Sequence, residues 1–264
     1  MRIDTSQILK EYWGFDSFRG SQAKIIDAVL QGQDVLALLP TGGGKSVCYQ
    51  VPALAREGIC IVVSPLVALI EDQVRALKSK GIKALGLTGG LSFEEVLTRL
   101  DNCLYGNYRF LYLSPERLQQ ELVREKIKGM PVTLIAIDEA HCISQWGHDF
   151  RPAYLDCSIL RELHPEAPLM ALTATATKRV TQDIIDNLRL DNPGVFKDSF
   201  LRQNISYTVF WEEDKRYRLT SLCKETSRSG IVYVRSRRMT QELANHLNGK
   251  GLKSHYFHGG MSHS

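Results

Sequence analysis

Two short stretches carry side chains that could do chemistry together. The first, Leu38-Leu39-Pro40-Thr41-Gly42-Gly43-Gly44-Lys45-Ser46, follows an apolar run and opens a helical pattern. Three glycines at a strand-to-helix turn let backbone N–H groups approach phosphate oxygens with no Cβ in the way, and the helix start adds its positive dipole end. Thr41 and Gly42, Gly43 and Gly44 would line this cradle, Lys45 would reach the β/γ-phosphates, and the Ser46 hydroxyl would hold Mg²⁺. The strict G-x-x-x-x-G-K-S pattern is not met, because its leading position is Leu39. The second stretch is a strand-like run, Val132–Ile137, leading straight into Asp138-Glu139-Ala140-His141. Two adjacent carboxylates at the end of an apolar strand would be costly if buried without a purpose. Asp138 is placed to bind Mg²⁺ through water, and Glu139 to orient or deprotonate the attacking water. Taken singly, these stretches read as a glycine-rich turn and an acidic helix start. Together they read as a site for ATP or a related nucleotide, since ligands of open α/β sheets collect at the carboxyl ends of strands.

The elements that must position them follow from periodicity. Strand-like runs fall at Asp34–Leu39, Ile59–Ser64, Lys83–Thr88, Arg109–Ser114, Val132–Ile137 and Leu169–Thr173, with helix-like stretches at Ser21–Gln31, Leu66–Lys80 and Ser92–Leu104 between them. Gly32 and Gly81 stand just past the first two helical patterns, the expected stop signal. Near-continuous apolar strands alternating with helices predict an α/β fold with a parallel sheet covered on both faces. Asp191-Asn192-Pro193-Gly194 is turn chemistry, and Phe200–Trp211 reads as extended linker. The pattern then resumes with a helix at Asp214–Thr226, a strand at Ile231–Val234, a helix at Ser236–Gly249 and a strand at Leu252–Phe257. The expected division is a first domain over residues 1–198 and a linker with an incomplete second α/β domain over 199–264. Below about 70 residues a domain is marginal even when complete, so the second unit is expected to be truncated.

Composition narrows the class. The 264 residues are 44% hydrophobic and 23% charged, the balance of an ordinary globular protein rather than a disordered tail or a fibre. No apolar run approaches about 18 residues, so no transmembrane helix is expected. The start mixes charges of both signs and lacks the hydrophobic stretch of a secretory signal. Residues 1–198 hold 22 Lys/Arg against 24 Asp/Glu, whereas residues 199–264 hold 11 against 5. That excess suggests a polyanion near one end, or a lysine-rich solvated face. The six cysteines include no C-x-x-C and no paired metal-ligand spacing, which points to free thiols and a reducing cytoplasm.

With these motifs in place, nearly the whole chain resembles the RecQ family of superfamily 2 DNA helicases, whose fold is a P-loop NTPase with two RecA-like lobes. Pro40–Ser46 and the following Cys48-Tyr49-Gln50 have the family's wording. Phe15 with Phe18-Arg19-x-x-Gln22 is similar to its adenine-reading motif, which implies that Gln22 bonds the adenine edge, Phe15 stacks on the ring and Arg19 lies nearby. Ser64-Pro65-Leu66-Val67-Ala68-Leu69 with Asp72-Gln73 resembles the first DNA-contact motif, and Ser114-Pro115-Glu116-Arg117 a further segment of these motors. Leu172-Thr173-Ala174-Thr175-Ala176-Thr177 is similar to the motif that couples hydrolysis to lobe movement. Phe200, Arg202 and Asn204 match the interlobe linker, and Ser236-Arg237 the first DNA-contact motif of the second lobe. The most discriminating stretch, Cys142–Pro152, resembles the aromatic-rich loop particular to this family. It offers Trp146 and Phe150 for base stacking, His148 and Arg151 for phosphates, and Gln145 beside them. The same resemblance moves His141 from a structural histidine to a bridge between nucleotide and DNA sites.

What the resemblance implies is an ATP- and Mg²⁺-dependent 3′-to-5′ DNA helicase of recombination and repair, acting on single-stranded and tailed duplex DNA. It would be cytoplasmic and nucleoid-associated, with no membrane partner. The family's arginine finger, zinc-binding and winged-helix regions would lie beyond Phe257-His258-Gly259-Gly260-Met261-Ser262, so this chain alone is expected to bind ATP without unwinding. Two other readings stay open: a related motor acting on RNA or nucleoprotein, and a nucleotide-gated nucleic-acid clamp without turnover. A metabolic P-loop kinase would have no use for the Trp146 loop.

Overall fold

All five residues of the Ile59–Val63 strand are buried, and its side chains go alternately to two sides. Ile59, Ile61 and Val63 join one core, whereas Cys60 and Val62 join another. That is the behaviour of a strand covered on both faces. The computed structural model describes residues 4–147, 149–201, 204–226 and 228–261. The chain divides into two compact units, Met1–Leu201 and Arg202–Ser264.

The first unit is built on seven parallel strands: β1 (Val35–Leu38), β2 (Ile59–Val63), β3 (Ala84–Leu87), β4 (Phe110–Leu113), β5 (Val132–Ile137), β6 (Leu169–Thr173) and β7 (Gly194–Lys197). Their order is β3-β4-β2-β5-β6-β1-β7. On one face lie α2 (Gln22–Leu30), α3 (Lys45–Ala55) and α4 (Val67–Ser79), through Ile25, Val29, Tyr49, Ile70 and Leu77; α1 (Thr5–Trp13) packs outside α2 and α3. The other face takes α5 (Phe93–Tyr105), α6 (Glu121–Lys128), α7 (Ile159–Leu163) and α8 (Lys178–Leu188), through Leu100, Ile127, Leu160 and Ile184. Local chemistry sets the helix starts. Ser92 and Glu95 form a reciprocal capping box on α5, and the Thr177 side chain accepts from Val180 N on α8. Below the sheet's amino end, buried Asp34 accepts from Leu169 N and Asp191 N at 2.8 Å each and pairs with Arg161. This one carboxylate therefore fixes β1 against β6 and against the turn before β7.

Six of the seven strands coincide with apolar runs in the sequence. The seventh does not: Gly194–Lys197 follows the predicted turn directly and joins β1 as an edge strand, in register from Val35 opposite Gly194 to Leu38 opposite Lys197. Its alternation of half-buried and exposed residues is too short a signal to separate from linker.

The second unit holds α9 (Lys215–Glu225) and α10 (Arg237–Gly249), capped by Asp214 and Ser236. Thr220 Oγ1 lies 3.0 Å from His246 Nε2, and Arg216 pairs with Glu242 at 3.2 Å, which ties the helices together. The strands expected at Ile231–Val234 and Leu252–Phe257 make no ladder pairing among the described residues, and Ile231, Tyr233 and Phe257 are exposed. The residue types favour strands, but a strand forms only against a neighbour. None of the described helices is long and apolar enough to cross a membrane.

Candidate functional site

The glycine loop leaves the carboxyl end of β1 and the acidic pair leaves that of β5, with β6 between them. Leu38 stands opposite Thr173, and Ile137 opposite Ala171, so three strand ends present their next residues to one place. Gly44 caps α3 at φ +75°, a left-handed conformation, and a Cβ there would come within 2.3 Å of the Gln22 amide nitrogen. The positive φ favours glycine, and any Cβ there would push the Gln22 amide aside. Lys45 Nζ, the first side chain of α3, meets Glu139 Oε1 at 2.7 Å, both groups largely shielded from solvent. Glu139 itself adopts φ +48°, ψ 44°. This left-handed conformation costs a non-glycine residue about 1–2 kcal/mol and accompanies the contact of its carboxylate with Lys45. Its other oxygen lies 3.3 Å from His141 Nδ1, which is 2.8 Å from Thr173 Oγ1. Thr173 Oγ1 in turn accepts from Thr175 N at 3.2 Å. Lys45, Glu139, His141, Thr173 and Thr175 thus form one polar chain.

The two carboxylates have opposite electrostatics. Burial pushes the Asp138 carboxyl up, with Lys45 opposing. Burial also works to raise Glu139, but His141 and Lys45 together outweigh it and bring that carboxyl down to about 2. Asp138 Oδ1 accepts Glu139 N at 3.0 Å, and its carbonyl accepts the Tyr154 hydroxyl at 2.9 Å. The charge of Asp138 raises the buried Tyr49 phenol, and a hydrogen bond from Ser46 works to lower it. A carboxylate and a hydroxyl are hard oxygen donors of the kind Mg²⁺ takes.

Of the residues expected to meet the base, Gln22 reaches the glycine loop. Buried Gln22 donates from Nε2 to Gly43 O at 3.1 Å and Gly44 O at 3.3 Å, and its Oε1 accepts Arg19 N at 2.9 Å. The Arg19 guanidinium sits 5.0 Å from the centre of the exposed Phe15 ring. Thr41 and Gly42 are exposed at the crest of the loop.

The residues expected to contact DNA are spread over neighbouring segments. Ser64, at the end of β2, is buried, and its hydroxyl has no hydrogen-bond partner among the described residues. Leu66 is the exposed residue before α4, whose first turn carries no side-chain cap. Trp146 is 62% exposed and Gln145 is exposed, whereas Phe150 is half-buried. Arg151 is engaged within the protein, donating to Pro65 O at 2.8 Å and pairing with Asp149 at 3.3 Å. It joins the aromatic loop to the segment at Ser64–Leu66. Thr175 is exposed beside buried Thr173. Ser236 and Arg237 open α10 in the second unit, where the Ser236 hydroxyl accepts Met239 N at 3.3 Å. Phe200 is exposed near the end of the first unit. His148, Arg202 and Ser262 lie outside the described residues.

Residues not singled out in the sequence hold the aromatic loop. Asp183 of α8 accepts the buried Ser144 hydroxyl at 2.5 Å, and Ser144 Oγ accepts Trp146 N at 3.1 Å. The Arg179 guanidinium lies 3.5 Å from the centre of the Trp146 ring. Nothing local marks either α8 residue, because each contact joins residues more than thirty positions apart in sequence.

Comparison with known proteins identifies the family. The sequence model of the DEAD/DEAH box helicase family matches residues 19–184. The ATP-dependent DNA helicase RecQ of Pasteurella multocida is 41% identical over 261 residues, covering 97% of this chain and 41% of that protein. The RecQ of Bacillus subtilis is 40% identical over 258 residues, covering 97% of this chain and 44% of that one. The chain therefore spans less than half the length of these relatives. Among solved structures, the Mycobacterium smegmatis helicase Lhr bound to single-stranded DNA and AMP-PNP aligns over 95% of this chain and 37% of its own. The TM-score is 0.64 at 20% identity, a likeness of fold.

Proposed function

The chain belongs to the DEAD/DEAH box helicase family, with RecQ helicases among its relatives, and we propose that it is the nucleotide-hydrolysing part of an ATP-dependent DNA helicase that moves 3′ to 5′. Residues 1–198 serve as the first RecA-like lobe and residues 199–264 as linker and part of the second. The observation that carries this reading is the meeting of Lys45 and Glu139 at 2.7 Å, with His141 and Thr173 leading on to Thr175 ahead of α8.

Each side chain then has a task. The loop amides and Lys45 take the β/γ-phosphates, which draws Lys45 away from Glu139. Losing that cation removes one of the two groups that hold Glu139 down, so the carboxylate becomes a better acceptor for a water proton as the triphosphate arrives. Ser46 and Asp138 would hold Mg²⁺, whose charge neutralises that developing on the phosphoryl oxygens. His141 keeps one oxygen of Glu139 in place and passes its position to Thr173. Trp146 and Phe150 offer ring faces to successive bases, Ser64 and the α4 start meet a phosphate, and Gln145, His148, Arg237 and Ser236 complete the strand contacts. Arg151, bonded to Pro65 O, carries a shift of the aromatic loop to the strand-gripping segment.

The test compares hydrolysis by the whole protein with single-stranded DNA, RNA, and duplexes tailed at either end. Stimulation by DNA and opening of the 3′-tailed duplex are expected, while this 264-residue chain alone binds ATP and opens neither. Equal stimulation by RNA, opening of the 5′-tailed duplex only, or robust unwinding by the short chain would each overturn the corresponding part of the proposal.

A further inference from the structure

The turn carrying Arg19 and Gln22 is gripped from the far end of the first unit. Asp198, the residue after β7, accepts the Ser21 hydroxyl on Oδ1 at 2.6 Å and the Ser21 backbone N–H on Oδ2 at 3.3 Å. The carboxylate also lies against Gly20, at φ +50°, where a Cβ would displace it. Ser21 occupies the N-cap of α2, yet its hydroxyl caps nothing in that helix, and the first turn of α2 holds no acidic residue. The carboxylate of Asp198 supplies the missing negative charge at the helix's positive end. Asp198 is itself fixed, since its backbone N–H donates to Leu38 O at 3.1 Å and so adds a rung between β7 and β1. Leu38 leads directly into the glycine loop. One carboxylate thus references the 19–22 turn to the strand that delivers the loop, and Gln22 spans the remaining gap by bonding Arg19 N on one side and the Gly43 and Gly44 carbonyls on the other.

We propose that Asp198 is a positioning residue for base recognition. It sets the turn so that Gln22 and Phe15 meet the purine in register with phosphates held by the loop. Asp198 does not touch the nucleotide; it acts through Ser21 and Gly20. The inference rests on the reading of Gln22 and Phe15 as base contacts.

The experiment measures binding of fluorescent ATP and GTP analogues, and of inorganic tripolyphosphate by competition, to the 264-residue chain with Mg²⁺. Asp198→Ala is expected to weaken ATP about tenfold, the worth of one charge-assisted hydrogen bond, and to narrow the preference for ATP over GTP. Tripolyphosphate, which has no base, should bind as before. Ser21→Ala and Asp198→Asn each keep part of the contact and should fall between, and they carry the test if Asp198→Ala fails to fold. Equal losses for ATP and tripolyphosphate would mean a general disturbance of the loop and overturn the proposal. So would an unchanged ATP/GTP preference in the Asp198 variants where Gln22→Ala abolishes it. If Gln22→Ala leaves the preference intact, the base-contact reading falls and takes this inference with it.

Discussion

The charged pocket at the ends of β1 and β5 and the aromatic loop that follows it are only a few residues apart in sequence, yet they are built on opposite principles. In the pocket, Lys45, Asp138, Glu139 and His141 are shielded, and a left-handed Glu139 is joined to Lys45 through one carboxylate oxygen and to His141 through the other. In the loop, Trp146 is open to solvent and its positioning is borrowed from α8, through Asp183 and Arg179. A pocket that handles charge gains from low dielectric and fixed geometry. A surface proposed to stack on bases gains from exposure. The comparison teaches that a single strand end can feed both, provided something links them. Here the link is His141 to Thr173 to Thr175, the residues that lead into α8.

The largest expected effect separates the two regions from the pocket side. Glu139→Gln should lower hydrolysis by about 10²–10⁴, the range for a general base. ATP affinity should hold or tighten, since Lys45 loses its rival partner. Phosphate release and fluorescent-nucleotide titration together decide it; a parallel collapse of affinity would make the ion pair structural rather than a gate.

From the loop side, Trp146→Ala should raise the DNA concentration for half-maximal stimulation by about tenfold or more, the value of stacking one base. Affinity for ATP should be untouched. If stimulation by single-stranded DNA is unaltered, Trp146 belongs to neither region's function.

A pH titration sharpens the contrast further. Glu139 is depressed from 4.5 to about 2, so it contributes stability above its unfolded value that is lost as the pH falls toward about 2. Asp138 is raised by burial and runs the other way, which blunts the loss. Thermal unfolding followed through the acid range should show Glu139→Gln flattening the decline, whereas Trp146→Ala leaves its shape unchanged. An identical acid limb in wild type and Glu139→Gln would contradict the assigned electrostatics.

The smallest effect concerns Arg179. Its contact with the Trp146 ring is exposed and worth about 0.5–1 kcal/mol, so Arg179→Ala should shift DNA affinity by only a few-fold and melting temperature scarcely at all. A loss as large as that of Trp146→Ala would show that α8 does more than support the loop.

Much of this was legible in residue order. The strands β2, β5 and β6 and the helices α2, α4 and α5 begin and end within a residue or so of their apolar and glycine signals, because burial on both faces and capping are local demands. The glycine loop and the acidic pair stand out in the sequence because three glycines before a lysine, and two carboxylates after an apolar strand, are residue types that such positions seldom hold by chance. What stayed hidden was decided by contacts across long separations. Gly194–Lys197 became a strand because β1 offers it an edge, whereas Ile231–Val234 pairs with no strand among the described residues. Arg151, expected to face a phosphate, bonds a carbonyl 86 positions away. Gln22 spends its amide on the loop rather than standing open.

By itself, then, the order of residues determined which chemistry the chain can hold and the layered fold that brings strand ends to one side. Only the tertiary structure decided who meets whom there: Lys45 with Glu139, Ser144 with Asp183, Ser21 with Asp198. The reason is physical. Propensity and periodicity act over a few neighbouring residues, whereas an ion pair or hydrogen bond is specified only when folding brings its two halves within about 3 Å.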